Sequence, residues 1–350
     1  MTSYPRLIFT DDAALALQDV VSGIVHDKVM VVCDSTVNTL VATPLIGDRF
    51  PKAVFPAGEA NKNLDSLLMV WHAAVSNGLT RHSLIINIGG GVTTDLGGFA
   101  AATFKRGIQY INVPTTLLGA VDAAVGGKTG IDFLGLKNEI GAFAMPTAVV
   151  FDTQLFDSLP LSEKLSGYGE MIKHSLLRSR SSFLDALEID VAQVDHPTLL
   201  TMVKADVELK MEIVSSDPFE KGIRKALNLG HTFGHALEEF MLSRGEAIPH
   251  GVAVAHGLLV AMILSHQLRS FESGLISIYA SFLRNGGYSV PAITCDDYDD
   301  LIRLMMHDKK NSANGLISFT LLNAPGHPAV DCLVDPSTLK IALDIYRDYL

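Results

Sequence analysis

The sequence predicts an α/β N-terminal domain followed by a mostly α-helical C-terminal domain. Three observations carry this. The chain has 350 residues, too many for one comfortable hydrophobic core, and its 48% hydrophobic and 19% charged residues are those of a globular chain. Short apolar, β-branched runs recur through the first 160 residues. From about Ser162 onward, long stretches show helical periodicity instead.

In chain order, residues 29–33, 52–55, 84–88, 110–113 and 148–151 are apolar and strand-length, separated by helix-length segments, as in a parallel α/β sheet. The boundary falls near Leu159-Pro160, where proline interrupts the chain before Ser162 can cap a helix, giving domains 1–160 and 161–350. Residues 162–177, 196–214, 221–242 and 251–268 read as helices, and 317–322 as the only convincing late strand. A cleft between two such domains is the expected place for a site.

Composition excludes several classes. A net charge of −11 and a pI near 5.5 disfavour nucleic acid as the main partner. Mean hydropathy is +0.29, but the longest apolar stretch, 251–265, is short for a membrane span and reads as a core helix, with His256 and His266 as core residues. Residues 1–10 lack the pattern of a signal peptide. Cys33, Cys295 and Cys332 are odd in number and far apart, which fits a reducing cytoplasm better than a disulfide framework.

Two glycine-rich loops carry chemistry. After the strand at 84–88 comes Gly89-Gly90-Gly91-Val92-Thr93-Thr94-Asp95. Glycines there let backbone amides approach a phosphate, and Thr93 or Thr94 can cap the following helix. The GxGxxG pattern itself fails at Thr94. The second loop, Gly126-Gly127-Lys128-Thr129-Gly130, ends like a P-loop, but Asp122 stands where its first glycine belongs, so it is not a nucleoside-triphosphate loop. Glu59 and Lys62 lie in a further polar loop that offers ribose and phosphate contacts.

The segment from Asn228 to Glu238 is the most informative. His231 and His235 are four apart and share one face of a helix, which suits a divalent metal. Thr232 replaces the glutamate of HExxH, against a metalloprotease. His250 opens another helix, and Glu170 can supply a carboxylate. Spacing alone does not say which two of His231, His235 and His250 bind. Lys210, Arg224, Lys309 and Lys310 stand out in an acidic chain, and an arginine near a metal points to a carboxylate or phosphate ligand.

Taken together, the chain resembles the 3-dehydroquinate synthase family of sugar phosphate cyclases. The matching stretches are GGGVTTDLGGFAAATFKRG, VPTTLLGAVDAAVGGKTGID, LKNEIGAFAMP, GYGEMIKH, ELKMEIVSSDPFEKGIRKALNLGHTFGHALE, PHGVAVAHG and HDKKN, in family order from about residue 58 to 311. The resemblance implies a dehydroquinate synthase-like fold with an NAD-binding α/β domain, a helical metal-binding domain and a homodimeric assembly. It implies that Glu170, His231 and His250 bind Zn²⁺, a set that also accommodates Co²⁺, with His235 beside the substrate. Asp122, Lys128, Lys173, Lys210, Arg224, Asn228 and Lys309 or Lys310 would line the substrate pocket. NAD⁺ would be held by Asp34, Glu59, Lys62, Gly90, Gly91, Val92, Thr93, Thr94, Asp95, Thr115, Thr116, Lys128, Lys137, Asn138, Leu155, Phe156, Asp157, Ser158 and Glu163.

The activity implied converts 3-deoxy-D-arabino-heptulosonate 7-phosphate to 3-dehydroquinate and phosphate, a step of the shikimate pathway. It would run through transient oxidation, phosphate β-elimination, re-reduction and intramolecular aldol closure. The chain departs from the family at Thr94, where glycine is usual, and at Tyr168-Gly169, where Met-Ala is common. Rival readings are another sugar phosphate cyclase, a metal- and NAD-dependent dehydrogenase of the glycerol dehydrogenase type, and a non-enzymatic NAD-binding protein. The lysines and Arg224 favour an acidic substrate over an uncharged one.

Overall fold

The computed structural model describes residues 4–134, 136–307 and 315–350, which divide into two compact units. The first holds residues 1–160 and returns for 195–211; the second holds 161–194 and 212–350.

Along the chain, β1 (Arg6–Phe9), α1 (Ala13–Gly23) and β2 (Val29–Asp34) are followed by α2 (Ser35–Val37), α3 (Thr43–Ile46), β3 (Lys52–Phe55) and α4 (Leu64–Ser76). Then come β4 (Leu84–Gly89), α5 (Gly91–Thr103), β5 (Gln109–Pro114), the hairpin β6 (Lys128–Phe133) and β7 (Leu136–Phe143), and β8 (Ala148–Phe151). Six of these strands form a parallel sheet in the order β1-β8-β5-β4-β2-β3, with Val31 opposite Ile86 and Ile86 opposite Ile111. The inner strands are buried on both faces, so their sequences are continuous apolar runs rather than alternating ones.

Period-two alternation sorts β2 between two cores. Met30 and Val32 pack with Leu67 and Val70 of α4 and Leu96 of α5, while Val31 and Cys33 pack with Leu17 and Val20 of α1. Gly97 allows α5 to lie close on β4, since a Cβ there would meet Asn87 Oδ1 at 2.0 Å. In this unit three strands lie beyond the predicted ones: β1 at the sheet edge, and the antiparallel pair β6–β7.

The chain continues through α6 (Leu161–Arg178), α7 (Arg180–Leu187) and α8 (His196–Ser216), and residues 195–211 belong to the sheet-containing unit. Ser162 lies inside α6, which starts at Leu161, so it does not cap that helix. After α8 come α9 (His231–Ser243), α10 (His250–Arg269), α11 (Ser273–Asn285), α12 (Tyr298–His307), the antiparallel pair β9 (Ile317–Ala324) and β10 (His327–Val334), and α13 (Pro336–Tyr349).

The expected helix over 221–242 is two pieces. A 3₁₀ turn, Ile223–Asn228, ends before Gly230, whose φ of 80° places it in the left-handed region, and α9 begins one residue later.

In the helical unit α10 packs against α6, α9, α11, α13 and β9. It is 20 residues long, longer than 251–265, and by length and composition could cross a membrane, but 83% of its most apolar window is buried inside the protein. It is the core helix of this unit. His256 is fully buried in it, whereas His266 is exposed in its last turn and bonds Phe271 O, contrary to the core placement expected.

Candidate active-site residues

In the helical unit, glycines bring three helices close enough to converge their side chains. A Cβ on Gly251 would lie 1.8 Å from Ser166 O, one on Gly169 2.2 Å from Gly251 O, and one on Gly257 1.9 Å from Gly230 O. Backbone therefore meets backbone where α10 crosses α6 and α9. Glu170 follows Gly169, His231 follows Gly230, and His250 precedes Gly251. The metal ligands implied by the family resemblance thus stand beside the three tightest glycine contacts among the described residues of the helical unit.

Glu170 is completely buried. Lys173, also buried, donates to its Oε2 through a short ion pair. Its other oxygen, Oε1, is buried with no hydrogen-bond partner among the described residues. That oxygen lies 3.5 Å from His231 Nε2 and 3.8 Å from His250 Nε2. A buried, unpartnered carboxylate oxygen is costly, and a cation in its place satisfies it.

The two imidazoles are oriented from behind. His231 Nδ1 is 3.2 Å from Leu229 O, and His250 Nδ1 is 3.1 Å from Glu238 Oε2. A carbonyl and a carboxylate only accept, so each Nδ1 carries the hydrogen and each Nε2 presents its lone pair toward Glu170 Oε1. The donor set of one carboxylate and two imidazoles fits a divalent zinc or cobalt ion.

A second grouping is present. One ring nitrogen each from His231, His235 and His250 can be chosen so that all lie within 4.8 Å of one another. His235 is exposed, whereas Glu170 sits in the interior with its oxygen unpartnered, so Glu170 makes the stronger claim to a ligand position.

The expected anion-binding groups of this unit sit nearby in sequence. Arg224 is buried at 3% exposure and donates from Nη1 to Pro218 O at 2.7 Å. Asp217 holds its loop, accepting from the backbone of Lys221, Gly222 and Arg224, which holds the carboxyl below its ordinary range. Asn228 donates to Glu220 at 2.7 Å. Glu163 lies in the first turn of α6. Lys309 and Lys310 lie outside the described residues.

In the sheet-containing unit, Asp34 ends β2 and Gly90 caps α5 just beyond β4. From β2 the chain passes outward to β3 and then returns to β4 on the other side, so these two ends flank the point where strand order reverses. Carboxyl ends of parallel strands at such a point are where nucleotides bind. Asp34 caps α2 by accepting from Thr36 N and Val37 N. Gly90 is tight for its surroundings, since a Cβ would meet Thr116 Cγ2 at 2.8 Å.

Val92 lies in the first turn of α5, and neither threonine caps that helix. Thr93 and Thr94 are buried within it, and Thr94 Oγ1 donates back to Gly91 O at 3.1 Å. Thr115 N bonds Gly89 O, and Thr116 Oγ1 accepts from Gly119 N. The N-terminus of α5 therefore offers backbone N–H groups and a helix dipole, not side-chain hydroxyls.

Beside it, Lys62 donates to Asp95 Oδ2 and Asn138 Oδ1, both at 2.6 Å. Burial disfavours the lysine's charge, but Asp95 and Glu59 outweigh it and hold its pKa above the ordinary value. Burial likewise raises the Asp95 carboxyl, against the pull of Lys62. Lys210 donates to Asp122 O at 2.6 Å and makes a short ion pair with its carboxylate. Lys128 and Lys137 are exposed. Leu155 and Phe156 lie in a 3₁₀ turn ahead of Asp157, which pairs with His196 at 3.2 Å, and Ser158.

Sequence reasoning missed Glu238, Glu220 and Asp217. The first had a signal: it stands seven residues after His231, on the same helix face.

A parallel-sheet α/β unit and a mostly helical unit define the class of fold, and the same fold is found in solved structures. At TM-score 0.86, the chain matches 2-deoxy-scyllo-inosose synthase complexed with carbaglucose-6-phosphate, NAD⁺ and Co²⁺, with 24% identity over 98% of this chain and 96% of that one. It matches 2-epi-5-epi-valiolone synthase from Streptomyces hygroscopicus, with NAD⁺ and Zn²⁺ bound, at TM-score 0.84, with 23% identity over 99% of this chain and 98% of that one.

Sequence narrows this to one family. Residues 52–166 match the model of the 3-dehydroquinate synthase N-terminal domain and residues 167–311 that of its C-terminal domain. The 3-dehydroquinate synthase of Parabacteroides distasonis is 41% identical, over 99% of both chains. The chain belongs to the 3-dehydroquinate synthase family.

Proposed function

We propose that this chain is a phosphorus–oxygen lyase that converts 3-deoxy-D-arabino-heptulosonate 7-phosphate to 3-dehydroquinate and inorganic phosphate. Family membership sets the reaction. The geometric observation that carries it is the buried Glu170 Oε1, unpartnered and facing two imidazole Nε2 atoms. Glu170, His231 and His250 would hold the divalent metal, and Gly90 through Asp95 with Asp34 and Lys62 would hold NAD⁺. Related structures bind NAD⁺ with Co²⁺ or Zn²⁺. When bound, NAD⁺ supplies a reversible hydride acceptor and the metal a Lewis acid for a hydroxyl oxygen, so the reaction has no net redox.

The chain's own residues bind, orient and neutralise. In the sheet-containing unit, Lys128 is assigned to the phosphate and Lys210 to the carboxylate, with Asp122 holding the Lys210 ammonium in place. In the helical unit, Arg224 is assigned to the carboxylate, and His235 and Asn228 to the phosphate. Lys173 pairs with Glu170 Oε2 and fixes its rotamer, which leaves Oε1 directed at the imidazoles. Each cation favours charge that grows on a leaving phosphate or an enolate, and holding one conformer orders the steps. We further propose that the active form is a homodimer acting in the cytoplasm, as the family resemblance implies.

The test is product analysis with the heptulosonate phosphate, NAD⁺ and Zn²⁺. Equal amounts of phosphate and 3-dehydroquinate, with no accumulating NADH, are expected. Accumulating NADH without phosphate would instead identify a dehydrogenase.

A further inference from the structure

Beside the histidines of the helical unit stands a carboxylate that the proposed reaction does not use. Glu238 stands on α9 three residues beyond His235 and seven beyond His231. Its Oε2 lies 3.1 Å from Nδ1 of His250 on α10, and both side chains are mostly buried, at 15% and 27% exposure. The opposite nitrogen of the same ring, Nε2, faces Glu170 Oε1. The two nitrogens of an imidazole point to different sides of the ring, so Glu238 is not itself placed as a ligand beside Nε2.

We infer that Glu238 is the positioning residue of the metal centre. By accepting from Nδ1–H it fixes the His250 tautomer and ring plane and makes Nε2 a better donor. His231 gets the same service from a neutral group, the Leu229 carbonyl at 3.2 Å. Backbone fixes the His231 ring, whereas a side chain from another helix fixes His250. Removing Glu238 therefore takes away the carboxylate that accepts from His250 Nδ1, while the chain path of α10 is untouched. The inference rests on the reading that Glu170, His231 and His250 hold a divalent cation.

The experiment is zinc affinity by chelator competition on the metal-stripped full chain. It compares wild type, Glu238→Ala, Glu238→Gln and a control, Glu239→Gln, at the exposed neighbouring position. Glu238→Ala is expected to weaken zinc binding by about 10- to 100-fold. Glu238→Gln keeps an acceptor oxygen and is expected to lose less, and Glu239→Gln to match wild type. Thermal unfolding of the metal-free forms checks folding, and Glu238→Gln carries the test should Glu238→Ala not fold. Long-range ¹H–¹⁵N spectra are expected to show His250 as the single Nδ1–H tautomer in wild type and as a mixture in Glu238→Ala.

Unchanged zinc affinity in a folded Glu238→Ala protein would overturn the inference. So would a Glu238→Gln loss as large as that of alanine, or an equal loss in Glu239→Gln. Failure of wild type to bind zinc would instead overturn the metal reading.

Discussion

A single methyl group placed on Gly251 tests how the helical unit builds its site. A Cβ there would lie 1.8 Å from Ser166 O and 2.6 Å from Ser166 C, both backbone atoms that no rotamer change can move. An ordinary carbon–oxygen contact is about 3.3 Å or more, so Gly251→Ala requires α6 and α10 to part locally by roughly 1.5 Å. Overpacking of this kind costs about 1–3 kcal/mol. The effect on metal binding is larger in kind, because Glu170 and His250 ride on the two helices that separate, and metal–ligand distances tolerate only about 0.2 Å. Calorimetric melting of the metal-free protein and zinc competition together read both effects. A lower melting temperature with zinc affinity reduced at least tenfold is expected. Melting and affinity both equal to wild type would refute the argument that glycine-mediated contact sets the ligand spacing.

Further expectations follow from buried titratable groups. His256 is held neutral between Ser289 O and Tyr346 Oη, each at 2.9 Å, and burial pushes its pKa from 6.5 down to about 4. The unfolded chain therefore binds the extra proton, so this contribution is complete above pH 6.5 and is lost as pH falls toward 4. Denaturant titrations at pH 6.5 and 5 should show a loss of about 2 kcal/mol that His256→Gln abolishes; an unchanged acid limb in that variant would refute it. Lys62→Met leaves Asp95 buried without its cation and should destabilise the protein by about 3–5 kcal/mol, partly recovered at low pH where Asp95 protonates; urea titration checks this. Burial raises the Cys33 thiol to about 11, and Cys332 is buried, whereas Cys295 is exposed. One fast-reacting thiol per native chain is therefore expected with a thiol reagent at pH 8, and Cys295→Ser should remove it.

How much of this was legible depended on what each signal encodes. The inner strands of the sheet were readable because burial on both faces demands an unbroken apolar run, as at Leu84–Gly89. β1 has only four residues and is partly exposed, β6–β7 carries no clean alternation, and β10 contains Pro328 and two register shifts. Apolar periodicity ran through Gly230 because helical spacing alone does not reveal a left-handed residue, and so the start of α9 at His231 was missed. The ligand candidates were visible as residue types, and Glu170 was named among them. Spacing alone left three histidines open; the family resemblance pointed to His231 and His250, and the ring nitrogens those two turn toward Glu170, a tertiary fact, support that choice. Thr93 and Thr94 looked like caps because the turn was placed late; α5 starts at Gly91 and draws both into its buried face.

The most direct test of the central claim, that Glu170, His231 and His250 make the metal centre, is metal stoichiometry and visible absorption of the cobalt-loaded protein. Wild type is compared with Glu170→Gln, His250→Ala and His235→Ala. The account predicts one ion per wild-type chain, its loss or gross spectral change in the first two variants, and an ion retained in His235→Ala. Loss of the ion in His235→Ala, with an unaltered spectrum in Glu170→Gln, would contradict it.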